Sequence, residues 1–211
     1  MKTIFWDWNG TLLNDVEMCV RCINQLLDKR GLPPLSTVRY REVFTFPVKD
    51  YYEQIGFDFS REDFEIPAHE FMDLYHRFLP DTPLFGCAED TLKHFRQKGY
   101  QQLVLSAMEH ESLLRTLKEK NIFGYFDSVS GINNIYADGK IGMAREFFSK
   151  LNIKKEEAIL IGDSIHDWEV AHALGIQHIL VAAGHQSKQR LLEVTPHVVD
   201  NLKEVKQYIE N

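Results

Sequence analysis

The chain has 211 residues, 44% of them hydrophobic and 26% charged, with a formal net charge of −7. That is an ordinary globular balance, and the acidic excess argues against a dominant nucleic-acid surface, which would carry a basic stripe. No apolar run approaches the roughly 18 residues a membrane span needs, and MKTIFWDW enters a strand pattern directly, so a cytoplasmic location is expected.

Residues 4–13 read IFWDWNGTLL: an apolar strand, then Asp7, then Asn9-Gly10-Thr11. Asn14 or Asp15 is expected to cap a helix running to about Arg30, closed by Gly31 and Pro33-Pro34. Cys19 and Cys22 form a CxxC in that helix. They share an apolar face with Val16, Val20, Ile23, Leu26 and Leu27, and no second pair completes a zinc site, so they read as packing. Ser36 opens a short helix through Phe44, and Pro47 opens a third that Gly56 closes. Ser60 with Asp63 is expected to open a fourth, carrying Phe64, Phe71, Leu74 and Phe78, which Pro67 breaks or restarts. From Pro83 the pattern alternates. Helices are expected at 88–98, 109–120 and 141–151, after the strand at 158–161 through Leu174, and at the C-terminus; the other strands fall at 102–106, 128–130, 178–181 and 198–199. Alternation of this kind predicts an α/β fold, a Rossmann-like parallel sheet with helices on both faces. The helical block lies between the first strand and the rest. Two units are therefore expected: an α/β core of residues 1–14 and 81–211, and an inserted helical cap of residues 15–80.

In a parallel sheet the residues just past each strand are neighbours, and ligands bind at those ends. Here they are Asp7 and Asn9, then Ser106, then the Asp138-Gly139-Lys140 turn, then Asp163 and Asp167. A charged strand end is costly to bury unless something pairs with it, and carboxylates from two strand ends suit a hard cation such as Mg²⁺. A carboxylate nucleophile, a hydroxyl, an ammonium and a metal-binding acidic pair together suit phosphoryl transfer.

This set, in this order, resembles the haloacid dehalogenase superfamily. The family's Asp-x-Asp-Gly-Thr appears as Asp7-Trp8-Asn9-Gly10-Thr11, its strand-ending Ser or Thr as Ser106 in LVLSA, its lysine before a helix as Lys140, and its Gly-Asp-x-x-x-Asp as Gly162-Asp163-Ser164-Ile165-His166-Asp167. Ile141 follows the lysine where many relatives have proline. VAAGH and Pro196-His197-Val198-Val199-Asp200 look like the phosphoglycolate-phosphatase-like branch. The resemblance implies a phosphatase acting on a small phosphorylated metabolite through an aspartyl-phosphate on Asp7. It implies Mg²⁺ held by Asp7, the Asn9 backbone carbonyl and Asp163, with Asp167 orienting metal-bound water or Lys140. Thr11, Ser106 and the Ala107 amide would bind the phosphoryl group and Lys140 would neutralise it.

One departure stands out. The middle acid of the first motif, the family's general acid and base, is Asn9 here, and an amide cannot give up a proton at neutral pH. Aryl and acyl phosphates are then expected to be better substrates than alkyl phosphates, and Asn9→Asp is expected to favour the latter. His110 and cap residues are candidate substitute donors. Two other readings remain: a member that binds phosphate without turnover, and carbon–phosphorus cleavage. Phosphonoacetaldehyde hydrolases also have Asp-Trp-x-Gly-Thr with no acid at the middle position, and use a cap lysine as a Schiff base; Lys49 in FPVKDYY sits in a comparable place. Substrate selection would rest on cap residues such as Phe46 and Lys49, with Arg39, Tyr51 and Tyr52 nearby in the sequence.

Overall fold

Six strands, β1 (Thr3–Trp6), β2 (Gln101–Glu109), β3 (Ser128–Ile132), β4 (Ala158–Gly162), β5 (Gln177–Val181) and β6 (Val198–Val199), form one sheet in the order β3-β2-β1-β4-β5-β6. Every pairing is parallel. These are observations from a computed structural model that describes residues 2–132 and 139–210. The chain runs outward from β1 to β3, then crosses back and runs outward from β4 to β6. The direction therefore reverses between β1 and β4, and the crevice beyond that reversal is where such sheets bind ligands.

Side chains alternate between the two faces of each strand. Ile4, Trp6, Val104, Ile161 and Ile179 enter one apolar cluster; Phe5, Leu103, Leu105 and Leu160 enter the other. The first is covered by α5 (Ala88–Gln97), α6 (His110–Glu119) and α10 (Leu202–Glu210), the second by α7 (Gly139–Ser149) and α8 (Ile165–Leu174). Burial on both faces explains why these strands read as unbroken apolar runs.

Four helices come between β1 and α5: α1 (Val16–Lys29), α2 (Thr37–Val43), α3 (Val48–Gln54) and α4 (Glu65–Phe78). Cys19 and Cys22 are buried free thiols on the apolar face of α1, as helix packing requires. Two local expectations change. Ser60 does not open α4; its amide and hydroxyl turn back onto the Asp58 carboxylate, at 3.0 and 2.6 Å. Pro67 does not break α4 either. It lies in the first turn, where backbone N–H groups have no helical partner and a missing one costs nothing. The structure adds a helix that the sequence pattern does not mark, α9 (Lys188–Val194), which is capped by Ser187 and buries Leu191.

Candidate active site

The sheet register carries the site. Trp6 pairs with Val104 on one side and Ile161 on the other, and the Asp7 amide continues the ladder to the Ile161 carbonyl at 2.9 Å. Asp7 therefore stands level with Leu105 and Gly162; one residue further on come Asp163, just past β4, and Ser106, which does not end its strand because β2 continues to Glu109.

Beyond those ends the side chains converge. The Lys140 ammonium, delivered by the first turn of α7, donates to Asp7 Oδ1 and, at 2.5 Å, to Asp167 Oδ1. The Thr11 hydroxyl lies 3.2 Å from both Asp7 Oδ2 and Asp163 Oδ1. Asp167 divides its two oxygens between fold and site. Oδ2 accepts from the Ser164 amide at 3.0 Å while the Ser164 hydroxyl accepts from the Asp167 amide at 3.4 Å, a capping box that starts α8, and the same hydroxyl lies 2.6 Å from Oδ2. Oδ1 remains for Lys140. Gly10 and Gly184 pack so closely on Asp163 that a Cβ at either would collide with its carboxylate. Gly10 also has φ +71°, a left-handed conformation that glycine tolerates.

Charge is unevenly matched in this cluster. Asp7, Asp163 and Asp167 are all buried, and each has an oxygen within 4.8 Å of the others. Lys140 is paired with Asp7 and Asp167, and Asp163 has no ion-pair partner among the described residues. Burial, then the neighbouring Asp167 carboxylate, push Asp7 up to about 8 against the pull of Lys140. Burial likewise pushes Asp163 up to about 6. For Asp167 burial is outweighed by Lys140, which holds it below the usual carboxylate range. The same two carboxylates raise Lys140 despite its burial. An all-oxygen, acidic set short of positive charge has the chemistry of a site for a small hard cation.

The other candidates are distributed as follows. Ser106 is buried, and its hydroxyl accepts the Met108 amide at 3.1 Å; Ala107 beside it is exposed. The His110 Nδ1 accepts the Gly131 amide at 3.3 Å, a bond to β3. Phe46 is 40% exposed, its ring 5.1 Å from that of His166 on α8. Lys49 is exposed, with its ammonium 5.6 Å over the Phe59 ring, and Arg39 pairs with Glu42 at 3.1 Å. Tyr51 and Tyr52 are buried in an aromatic stack with Tyr40, Phe44 and Phe57. Asp138 falls outside the described residues.

Two residues that sequence reasoning did not place at the site stand beside it. The His185 amide donates to Asp163 Oδ2 at 2.5 Å, while its ring lies between Tyr40 and Asp15. The Asp15 carboxylate does not cap α1; it turns back onto the Asn9-Gly10 loop. The available signal was an acid shortly after an amide-substituted motif, together with the histidine that ends VAAGH.

Comparison with known proteins places the chain in a family. A family model described as haloacid dehalogenase-like hydrolase matches residues 4–181. Phosphoglycolate phosphatase 1 of Pseudomonas aeruginosa is 22% identical over 97% of this chain and 78% of its own length. Pyrophosphatase PpaX of Listeria innocua is 30% identical over 80% of this chain and 77% of its own. A solved haloacid dehalogenase-like family hydrolase from Streptococcus pneumoniae superposes with a TM-score of 0.86, at 19% identity over 99% of this chain and 98% of that one. The chain belongs to the haloacid dehalogenase-like hydrolases, in their phosphoglycolate-phosphatase-like branch, and is an enzyme of the phosphatase type.

Proposed function

We propose that this chain hydrolyses a small phosphorylated metabolite in a Mg²⁺-dependent reaction that passes through an aspartyl-phosphate on Asp7. The observation that carries the reading is one buried cluster at the switch of the sheet, in which Asp7 shares Lys140 with Asp167 and Thr11 with Asp163. The substrates for which the two relatives are named, phosphoglycolate and pyrophosphate, are both small and phosphorylated.

In this reading Asp7 attacks phosphorus, the phosphoryl group moves to its carboxylate, and the leaving oxygen departs with the electron pair of the broken bond. Water then attacks the same phosphorus, releasing inorganic phosphate and freeing Asp7. Lys140 neutralises nucleophile and phosphoryl oxygens in turn, and Thr11, Ser106 and the Ala107 amide bind those oxygens. Asp7, Asp163 and the Asn9 carbonyl would hold Mg²⁺, with Asp167 outside them orienting Lys140. Bound there, the cation supplies charge neutralisation at the transferring group. Asn9 stands where the family keeps its general acid, so good leaving groups are the preferred substrates. Helices α1–α4 form the cap over an α/β core, with Phe46 offered towards substrate. Carbon–phosphorus cleavage through a lysine Schiff base is the weaker reading, because the amine beside Asp7 is Lys140, whereas Lys49 lies over Phe59.

Two measurements test the proposal. Mg²⁺ with beryllium fluoride is expected to build a phosphoryl-like adduct on Asp7; an adduct on another residue refutes the nucleophile. A panel of aryl, acyl and alkyl phosphates with Mg²⁺ is expected to show turnover in that order of preference, and no turnover of any ester refutes the activity.

A further inference from the structure

The side chain of Asn9 is held from the helical block. Its amide donates to Asp15 Oδ2 at 2.8 Å and to the Tyr75 hydroxyl at 2.5 Å. Asp15 is 1% exposed and accepts from Asn9, from the Gly10 amide at 2.8 Å, from Tyr75 at 3.3 Å and from His185 Nε2 at 3.1 Å. The Cys19 thiol is 3.8 Å from the same carboxylate. A buried carboxylate in this setting requires donors on every side, since an ionised carboxylate only accepts. Asparagine meets that requirement at position 9 without a change of protonation; aspartate meets it only by taking up a proton.

We propose that Asp15 is the positioning residue of the nucleophile loop, and that Asn9 and Asp15 are a charge-exchanged pair. This chain has an amide at position 9, where the family motif has an acid, and a buried carboxylate six residues on that accepts from that amide at 2.8 Å; the amide at position 9 is what a fixed carboxylate at position 15 demands. Through Gly10 the pair shapes the turn that presents the Asn9 carbonyl and sets the Thr11 hydroxyl between Asp7 and Asp163. Tyr75 of α4 and, by way of the His185 ring, Tyr40 of α2 at 2.8 Å tie the same carboxylate to two helices of the block. The catalytic consequence rests on the phosphatase reading above; the pairing itself does not. It alters what restoring the motif would do. Asn9→Asp alone sets two carboxylates where one hydrogen bond of 2.8 Å now stands, and like charges that close in a buried site cannot both stay ionised without disrupting it. An acid returns usefully to position 9 only when position 15 gives up its own.

The test is a charge swap: Asn9→Asp, Asp15→Asn and the double variant. Melting midpoints are measured without metal or substrate, and kcat and KM on p-nitrophenyl phosphate with Mg²⁺. Each single variant is expected to lower the midpoint by about 5 °C or more and kcat by about 10-fold or more, since small misplacements at a reacting centre are expensive. The double variant is expected to recover more than half of both losses, with KM moving less than kcat. If Asp15 merely begins α1, the losses add and the double variant is no better than the worse single one; that result overturns the pairing. Should Asp15→Asn fail to fold, Asn9→Leu sets the scale. Asn9→Asp must then destabilise at least as much as the leucine, and an Asn9→Asp protein that melts at or above the native midpoint overturns the proposal. If the native protein turns over no phosphate, the activity reading fails while the melting midpoints still decide the pair.

Discussion

Two buried polar clusters meet at the Asn9-Gly10-Thr11 turn, and they are built on opposite principles. Around Asp7, three buried carboxylates stand close together, and the one ammonium paired with them, Lys140, reaches only Asp7 and Asp167. Around Asp15, one carboxylate is matched by donors from Asn9, Gly10, Tyr75 and His185. Burial raises the first carboxylate, Asp7, to about 8. For Asp15, burial is outweighed by the His185 imidazole, which with Asn9 and Gly10 keeps it below the ordinary range. The unsatisfied cluster has free energy to release to a cation. The satisfied one has none to give and serves to hold geometry. Removing a group should therefore affect chemistry first in one cluster and shape first in the other.

The largest expected effect breaks the first cluster outright. Asp7→Asn is close in volume but removes the proposed nucleophile, and kcat on aryl phosphate should fall by about 10³-fold or more. Turnover of the variant within tenfold of native would show that Asp7 does not form the covalent bond. Asp163→Ala comes next. Loss of even an outer partner of a bound metal typically costs about 10–100-fold in affinity, so loss of Asp163 as the proposed direct ligand should weaken Mg²⁺ binding by about 100-fold or more, read by titration calorimetry.

Lys140→Ala strands two buried carboxylates. Breaking a buried pair by removing one partner costs about 3–5 kcal/mol, and chemical denaturation should show a loss near the lower figure, because Asp7 is already inclined to take up a proton. The pH dependence sharpens the comparison further. Asp7 titrates at about 8 in the fold against an ordinary 3.8, so its contribution is fully present below 3.8 and is lost as pH rises through 8. His185, whose Asp15 partner outweighs burial and raises it to about 9 from 6.5, contributes fully below 6.5 and loses that as pH rises through 9. Both act in the same direction. The metal-free protein should melt progressively lower from pH 6.5 to 9, and Mg²⁺ should restore most at the alkaline end, where Asp7 no longer holds a proton. A metal-free midpoint that rises across that range would contradict both assignments.

What could be read from the sequence follows from how each cluster is assembled. Asp7 and Asp163 each follow an apolar strand run and Asp167 comes one helical turn later, in α8; parallel pairing alone brings strand ends together, so the clustering of the three was legible because the sheet does the work. Asp15 was not. An aspartate just before a helix is the commonest of caps, and its actual partners come from 60 residues away in Tyr75 and 170 residues away in His185. No local pattern encodes such a pairing. The start of α4 was misjudged for a related reason: Ser60 has a competing acceptor in Asp58 two residues earlier, and local side-chain bonds of this kind compete with capping.

The smallest expected effect concerns the outer side of the helical block. Lys49 is exposed and its ammonium lies 5.6 Å over the Phe59 ring, an exposed cation–π contact worth about 0.5–1 kcal/mol. Lys49→Ala should therefore lower stability by no more than that and leave kcat and KM on aryl phosphate within twofold. Phe46 differs because its half-exposed ring lies across the seam from His166. Losing an aromatic pair costs about 0.5–1.5 kcal/mol, and if the ring also meets substrate, Phe46→Ala should raise KM by about threefold or more with kcat little changed, the signature of lost uniform binding. The two variants together locate the substrate-facing side of the block. A KM effect at Lys49 and none at Phe46 would reverse that assignment, and a borohydride-trapped phosphonoacetaldehyde adduct on Lys49 would move the chemistry itself from phosphate esters to the carbon–phosphorus bond.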